Sequence, residues 1–419
     1  MADTGSRSSS LPGLRRVAAG AAFLVVLGLA LYMRLYRIGE ETPHPDEITS
    51  LTGLYEKTFA QSLQAERTLD PPMAPLYFLV QYAWAHTAGM GVLRMRMLSV
   101  LFSVLTFLAV YRLGIRLNGK PAGLAAMALL AVSPIHIYYS LEIRNYSLTV
   151  LLGALSLLTL LRGVERPNGR TWALNFLVDL LLAMSHLFAN LLFVPQALFL
   201  LIHHRRWRVL LPWLFSHAVI SLAVGAWLAT CDFQAIRSAS SYFQPLNWNN
   251  IQEMFASLSG APYYQYIMVL GGKSIGGIFI AVFLLAVSVL LVDRLFFSKR
   301  PAHAGAAAVS GNEPHALSLV ALTFTVPPVL LGIMTQCCTP CFIPRYVLCS
   351  VLAAPVLLAC AVTMPRVKTV RVLLAAGLVI LNVYQWNDLL DRRPHRSGWV
   401  KICAFLHSEV KPDDYLVVY

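Results

Sequence analysis

Long apolar runs alternate with short basic clusters along this chain. About 20 apolar residues suffice for a helix to cross a bilayer, and loops rich in Lys and Arg stay cytoplasmic. Basic clusters occur at Arg15 and Arg16, at Arg112, Arg116 and Lys120, and at Arg162, Arg166 and Arg170. They continue at Arg205, Arg206 and Arg208, at Arg294, Lys299 and Arg300, and at Arg366, Lys368 and Arg371. With all six inside, each interval crosses an even number of times. The outside loops are then roughly 37–93, 139–145, a tip near His186, 230–273, 336–345 and everything after about 388. The pattern predicts an all-α polytopic membrane protein of about eleven transmembrane helices.

Two intervals shape that count. Between Arg170 and His203 lie too few residues for two full spans, so a short hairpin is expected with "SHLFAN" at its outer tip. Pro75 to Leu117 must begin outside and end inside, so one crossing near 94–117 is expected. "PLYFLVQYAWAHTAG" is then an amphipathic helix at the outer interface, with Arg94 and Arg96 near the headgroups. Residues 1–16 are expected as a disordered cytoplasmic N-terminus, 17–387 as the transmembrane domain with first outer loop 37–93, and 388–419 as an extracytoplasmic C-terminal segment. That last segment either packs on the membrane part or opens a larger domain cut short here. No internal repeat is visible, which weakens a transporter reading.

Composition agrees with the pattern: 57% of the 419 residues are hydrophobic and 13% charged, against about 25% charged in soluble domains. The net charge of +13 is spread through the loop clusters, which makes it a topology signal and not a nucleic-acid surface. Of seven cysteines only Cys337, Cys338 and Cys341 cluster, in a spacing that points weakly to a bridge or a metal.

Chemistry enters at the outer face. Pro43 and Pro45 stop the first span, and Asp46 is placed to cap a new helix running to about Arg67. Adjacent carboxylates there, Asp46 and Glu47, complement a helix dipole and need no further role. Other stretches, however, arrive at the same face: "TLDPPMAPLYF" with Asp70, "SPIHIYYSLEIRNYSL" with Glu142 and Arg144, and "CCTPCFIPRYVL" with Arg345. Each Arg alone can snorkel to lipid phosphates. Together, carboxylates and guanidinium groups at one bilayer edge suit chemistry on a lipid-linked phosphodiester, in which Arg holds the phosphate and a carboxylate takes the proton of an attacking hydroxyl. Asp46 fits the base, with Arg144 or Arg345 on the phosphate.

The stretches "LYRIG…HPDE", "PLYFLV", "RMRMLSVLF", "SPIHIYYSLEIRNYSL" and "PRYVL" together resemble the GT-C glycosyltransferases. They are most similar to the bacterial branch related to protein O-mannosyltransferases and lipid A aminoarabinose transferases. The resemblance implies a GT-C-like fold with interfacial helices in the first outer loop, in a bacterial inner membrane. It implies transfer of a sugar from a polyprenyl-phosphate donor to an extracytoplasmic acceptor, with membrane lipids as partners and no nucleic acid. It carries the base onto Asp46 with Glu47 beside it, and the "S-x-E-x-R-x-Y" motif onto Ser140, Glu142, Arg144 and Tyr146. The late "R-Y" falls on Arg345 and Tyr346, and a hairpin-tip histidine on His186. Relatives usually carry "HPPLY" where this chain has Met73 to Tyr77, so a histidine is missing and Asp70 is the candidate to compensate. Asp46, Glu47 and Glu142 are able together to bind Mg²⁺ or Mn²⁺ through oxygen, whereas two arginines neutralise a phosphate without a metal; no cofactor is expected to be required. The rival readings are a polyprenyl-diphosphate-linked oligosaccharide ligase and a lipid or sugar transporter or flippase. Against the last, charged residues gather at the outer ends of spans, with Asp179 the exception.

Overall fold

The computed structural model describes residues 11–40, 43–56, 58–69, 74–231, 245–261, 273–297, 315–338 and 340–391, and every regular element among them is helical. Eight of the described helices are long and apolar enough to cross a membrane. Tyr146–Glu165 and Pro344–Thr363 are 83% buried and form the centre, whereas Val17–Leu35 and Lys368–Trp386 are 17% buried and lie at the periphery. Apolar side chains all round a helix demand an apolar neighbour on every side, protein at the centre and lipid at the rim. The first helix runs from Leu11, ahead of the expected start of the span at Val17; Pro12 sits in its first turn, where a missing N–H leaves no bond unmade.

The longest helix, Val92–Ala131, has 40 residues, twice what the bilayer core requires. It is broken at the basic cluster, where Asn118 and Gly119 leave helical geometry and Gly119 takes a φ of 74°. Only glycine adopts that region without strain. The chain then folds back closely enough that a Cβ on Gly114 would lie 2.6 Å from the Cα of Gly123. Residues 92–117 therefore form one leg and 120–131 the next. The second leg continues through Pro134–Tyr139 to the loop ahead of Tyr146.

The expected short hairpin is present as Gly169–Ala183, a 3₁₀ turn Leu187–Leu192 and Phe193–His203. Its first leg of 15 residues is about 22 Å long, less than a bilayer core. Between the first two long helices, Pro75–Ala88 buries Tyr77, Phe78, Gln81 and Ala85 against the protein; it is apolar nearly all round, with Leu79 exposed, and so lacks the polar face of the expected amphipathic helix. Residues 392–419, where most of the C-terminal segment falls, lie outside the described residues.

Candidate active site

Helix Pro45–Thr52 opens the site. Its cap is His44, not the expected Asp46: His44 Nδ1 accepts from the Asp46 N–H at 3.4 Å, and the Glu47 carboxylate accepts from the His44 N–H at 2.8 Å. This reciprocal box satisfies the first orphan amides and leaves the Asp46 carboxylate unused by the cap. The expected single helix to Arg67 is two pieces, since a turn at Gly53–Tyr55 separates it from Phe59–Leu69.

The Asp46 carboxylate instead meets a residue 299 positions away, accepting from Arg345 Nη1 at 2.9 Å. Arg144 Nη1 donates to Ser50 Oγ at 2.9 Å and to the Asp46 carbonyl at 3.4 Å. Asp46, Arg144 and Arg345 are thus gathered on one helix turn. Burial pushes the Asp46 carboxyl up, but Arg144, Arg345 and His44 outweigh it and hold it below the usual carboxylate value. The pair is open to solvent, with a quarter of the Arg345 side chain and a third of the Asp46 side chain exposed.

Glu47 is placed differently. It is fully buried and accepts from Arg96 Nε at 3.1 Å, Arg96 Nη2 at 2.9 Å, the Ile143 N–H at 3.0 Å and the His44 N–H. Those contacts use the lone-pair sites of a carboxylate. Arg96, expected near the headgroups, is itself fully buried, with its Nη1 on the Ile38 carbonyl at 3.0 Å. The reason is the pairing: a guanidinium fork matched to a carboxylate is stable away from water where a lone cation is not. Arg94 does lie at the surface. Glu142 is buried, and its carbonyl accepts from Ser99 Oγ at 2.5 Å.

Aromatic groups form the far wall. The Tyr346 ring stacks on Phe188 at 4.2 Å, and the Arg345 guanidinium lies 5.6 Å from the Tyr346 ring centre. His186 lies 5.8 Å from Tyr346 and 6.1 Å from Tyr146, which meets Tyr139 edge-on at 4.7 Å. His186 Nδ1 accepts from the Phe188 N–H at 3.2 Å. Burial, with Arg144 and Arg345 beside it, drives the His186 imidazole down to about 3, so the ring is neutral. Tyr146, Thr149, His186, Phe188, Arg345 and Tyr346 line a cavity of about 10 Å³, the room of about one water. Asp70 lies outside the described residues.

Sequence reasoning missed Arg96, Ser50 and Phe188. Arg96 carried a signal: Arg96, Ser99, Ser103 and Thr106 recur at helical spacing as one polar stripe in an apolar helix, and all four are fully buried. A stripe facing lipid would be apolar, so this face meets protein. Among the described residues no three His, Cys, Asp or Glu side chains form a group able to hold a metal. Cys337 and Cys338 are exposed and Cys341 is buried, with none of them in a disulfide among the described residues.

The described residues form a helical membrane bundle in which one acid, Asp46, meets two arginines, Arg144 and Arg345. A sequence profile of the dolichyl-phosphate-mannose-protein mannosyltransferase family matches residues 49–229. The structure is similar to the crystal structure of ArnT from Cupriavidus metallidurans bound to undecaprenyl phosphate, with TM-score 0.55 and 12% identity over 98% of this chain and 82% of that one. It is also similar to the apo state of ArnT from the same organism, with TM-score 0.50 and 13% identity over 97% of this chain and 82% of that one. No curated protein matches the chain by sequence. The profile and the two folds bear out the resemblance drawn from the motifs: this is a multi-pass membrane protein of the GT-C glycosyltransferase fold.

Proposed function

We propose that the protein transfers a sugar from a polyprenyl-phosphate donor to an acceptor on the extracytoplasmic face of a bacterial inner membrane, with Asp46 as base and Arg345 and Arg144 as the phosphate clamp. The observation that carries this is the 2.9 Å contact between Asp46 and Arg345. In the resting site Asp46 is the anion that Arg345 holds. A donor phosphate offers Arg345 a stronger, multidentate partner, and taking that place frees the carboxylate. Asp46 then accepts the proton of the acceptor hydroxyl as its oxygen bonds to the anomeric carbon. The carbon–oxygen bond to phosphate breaks, and the arginines carry the charge left on the polyprenyl phosphate. The ArnT crystal structure bound to undecaprenyl phosphate supports this class of donor.

Glu47 serves as a positioning residue, because its lone pairs are committed to Arg96, Ile143 and His44. We assign Glu142, Tyr146, Tyr346 and His186 to the walls that shape the donor pocket. With Glu47 occupied and Asp46 on Arg345, phosphate charge is met by guanidinium, and the reaction proceeds without a divalent metal.

The test is transfer from radiolabelled polyprenyl-phosphate sugars to lipid and peptide acceptors by the purified protein, with and without EDTA. Asp46→Asn is expected to lose activity by about 10²-fold or more while still folding cooperatively, with only the modest drop in melting temperature that loss of a partly exposed ion pair brings. Full turnover by that variant removes Asp46 as base, and loss of turnover in EDTA overturns the metal-free reading.

A further inference from the structure

A second group of ionisable residues lies inside the bundle, among residues the proposed reaction does not use. Asp179, on the first leg of the short hairpin, is fully buried. Its Oδ1 accepts from Ser156 Oγ at 2.5 Å, and Ser156 Oγ in turn accepts from Gln196 Nε2 at 2.6 Å. Gln196 Oε1 accepts from Trp213 Nε1 at 3.2 Å. The Trp213 carbonyl lies 2.8 Å from His217 Nδ1, and His217 Nε2 lies 3.6 Å from Asp179 Oδ2. The chain of contacts returns to its start. It ties both legs of the hairpin to Tyr146–Glu165 on one side and to Trp207–Leu228 on the other.

One link fixes the chemistry. A backbone carbonyl only accepts, so His217 Nδ1 carries a hydrogen and donates it to Trp213. In a neutral imidazole Nε2 then bears a lone pair, and it faces Asp179 Oδ2, which has no hydrogen-bond partner; nor has Nε2. An ionised carboxylate and an imidazole lone pair that face each other in a buried site repel; one proton between them turns the same geometry into attraction. Asp179 is faced from Trp207–Leu228 by His217, from Tyr146–Glu165 by Ser156, from Phe193–His203 through Gln196, and one turn back on its own helix by the buried amide of Asn175. Elsewhere on Tyr146–Glu165, Glu165 is paired with Arg116 at the cytoplasmic end.

We propose that Asp179 and His217 hold a single shared proton inside the membrane, and that the ring this proton closes positions the hairpin tip at the site. The tip follows directly: Ser185 accepts from Asn145 Nδ2 at 2.7 Å through its carbonyl, and its hydroxyl lies 3.1 Å from Thr149 Oγ1. His186 and Phe188 come next and form the aromatic wall against Tyr346. Asp179 and His217 are positioning residues in this account, and their effect on transfer rests on the function proposed above.

The sign of the pH dependence follows from proton counting. As pH rises past the free imidazole value of about 6.5, an unfolded Asp and His together approach no bound proton, whereas the folded pair retains one. Wild-type stability therefore falls as pH rises beyond that point, by up to about tenfold in the unfolding constant per pH unit until the folded pair releases its proton. Asp179→Asn supplies a permanent N–H toward His217 Nε2 and keeps an oxygen for Ser156, so it lacks this alkaline loss.

Melting of the detergent-solubilised full chain from pH 6.5 to 9 tests the proton, and transfer over the same range tests the positioning. Asp179→Asn is expected to hold its melting temperature and its transfer rate where both decline in the wild type. A parallel decline in the variant overturns the shared proton. Ser156→Ala opens the ring on its opposite side without removing bulk, and is expected to cut transfer about tenfold through a loosened tip. Unchanged transfer in that variant overturns the positioning role. Transfer by no chain at all overturns the functional reading and with it the positioning role, and the melting comparison still decides the proton.

Discussion

Two adjacent carboxylates, Asp46 and Glu47, end in opposite situations because successive residues of a helix point about 100° apart. Glu47 points inward to Arg96, and Asp46 points to the open Arg345. The inward pair is a structural bolt. Removing one partner from a buried ion pair leaves a bare charge and costs about 3–5 kcal/mol, while replacing both by apolar groups is close to neutral. Glu47→Gln is therefore expected to lower the melting temperature sharply, and Glu47→Leu combined with Arg96→Met to recover most of the loss. A double-mutant cycle in detergent measures this, and additive losses would count against a coupled pair. For Asp46 the pH argument runs the other way from that of Asp179. Its carboxyl is held below the usual value, so the unfolded chain binds more protons there. The stabilisation is present above the unfolded value of about 3.9 and is lost as pH falls through the lower folded one. Since kcat/KM reports the free enzyme, its acid limb is expected below about pH 4. An acid limb near pH 6 would point to a different base.

Elements were legible where an apolar run had basic punctuation, and less so where the chain packs on itself. The cluster Arg112, Arg116 and Lys120 marks a turn, and Asn118 and Gly119 make it. That the two legs press together at Gly114 and Gly123 depends on three-dimensional approach, which spacing alone does not show. Small residues let helix backbones meet in a membrane, and here a methyl group at Gly114 has backbone atoms within 2.6 to 2.8 Å on the facing leg. Gly114→Ala must push the legs apart and is expected to destabilise the chain by about 1–3 kcal/mol. Gly20 meets nothing within 4 Å, so Gly20→Ala is the matched control and is expected to melt as the wild type or slightly higher. Equal melting of the two variants would mean that the close approach contributes nothing. The polar stripe of the first leg has the same lesson. Ser99 reaches the Glu142 carbonyl and Ser103 accepts from Arg34 Nε at 3.3 Å. Ser99 thus ties this leg to the loop that carries Glu142, and Ser103 ties it to the first helix.

At the scale of the whole molecule, the count of basic clusters placed Asp46, Arg144, His186 and Arg345 on one face before any contact was known, and the structure joins Asp46 to Arg144 and Arg345. What spacing could not supply was depth. Arg96 looks like an interfacial cation in sequence, yet it is fully buried, as is Arg34, because partners far along the chain replace their water. Which side that face occupies is a separate question, and the cysteines answer it. Cys337 and Cys338 are exposed at the end of Ala316–Cys337, beside the loop that leads to Arg345, whereas Cys341, Cys349 and Cys360 are buried. A charged maleimide cannot cross a bilayer, since moving a fixed charge through hydrocarbon is too costly. In Cys403→Ser protein expressed in intact spheroplasts, such a reagent is expected to label the chain from outside, and Cys337→Ser combined with Cys338→Ser to remove most of that label. Cys231 is half-buried at the end of Trp207–Leu228 and accounts for the remainder. Labelling that needs permeabilised cells would turn the bundle over and place Asp46 and Arg345 in the cytoplasm, on the wrong side for an extracytoplasmic acceptor.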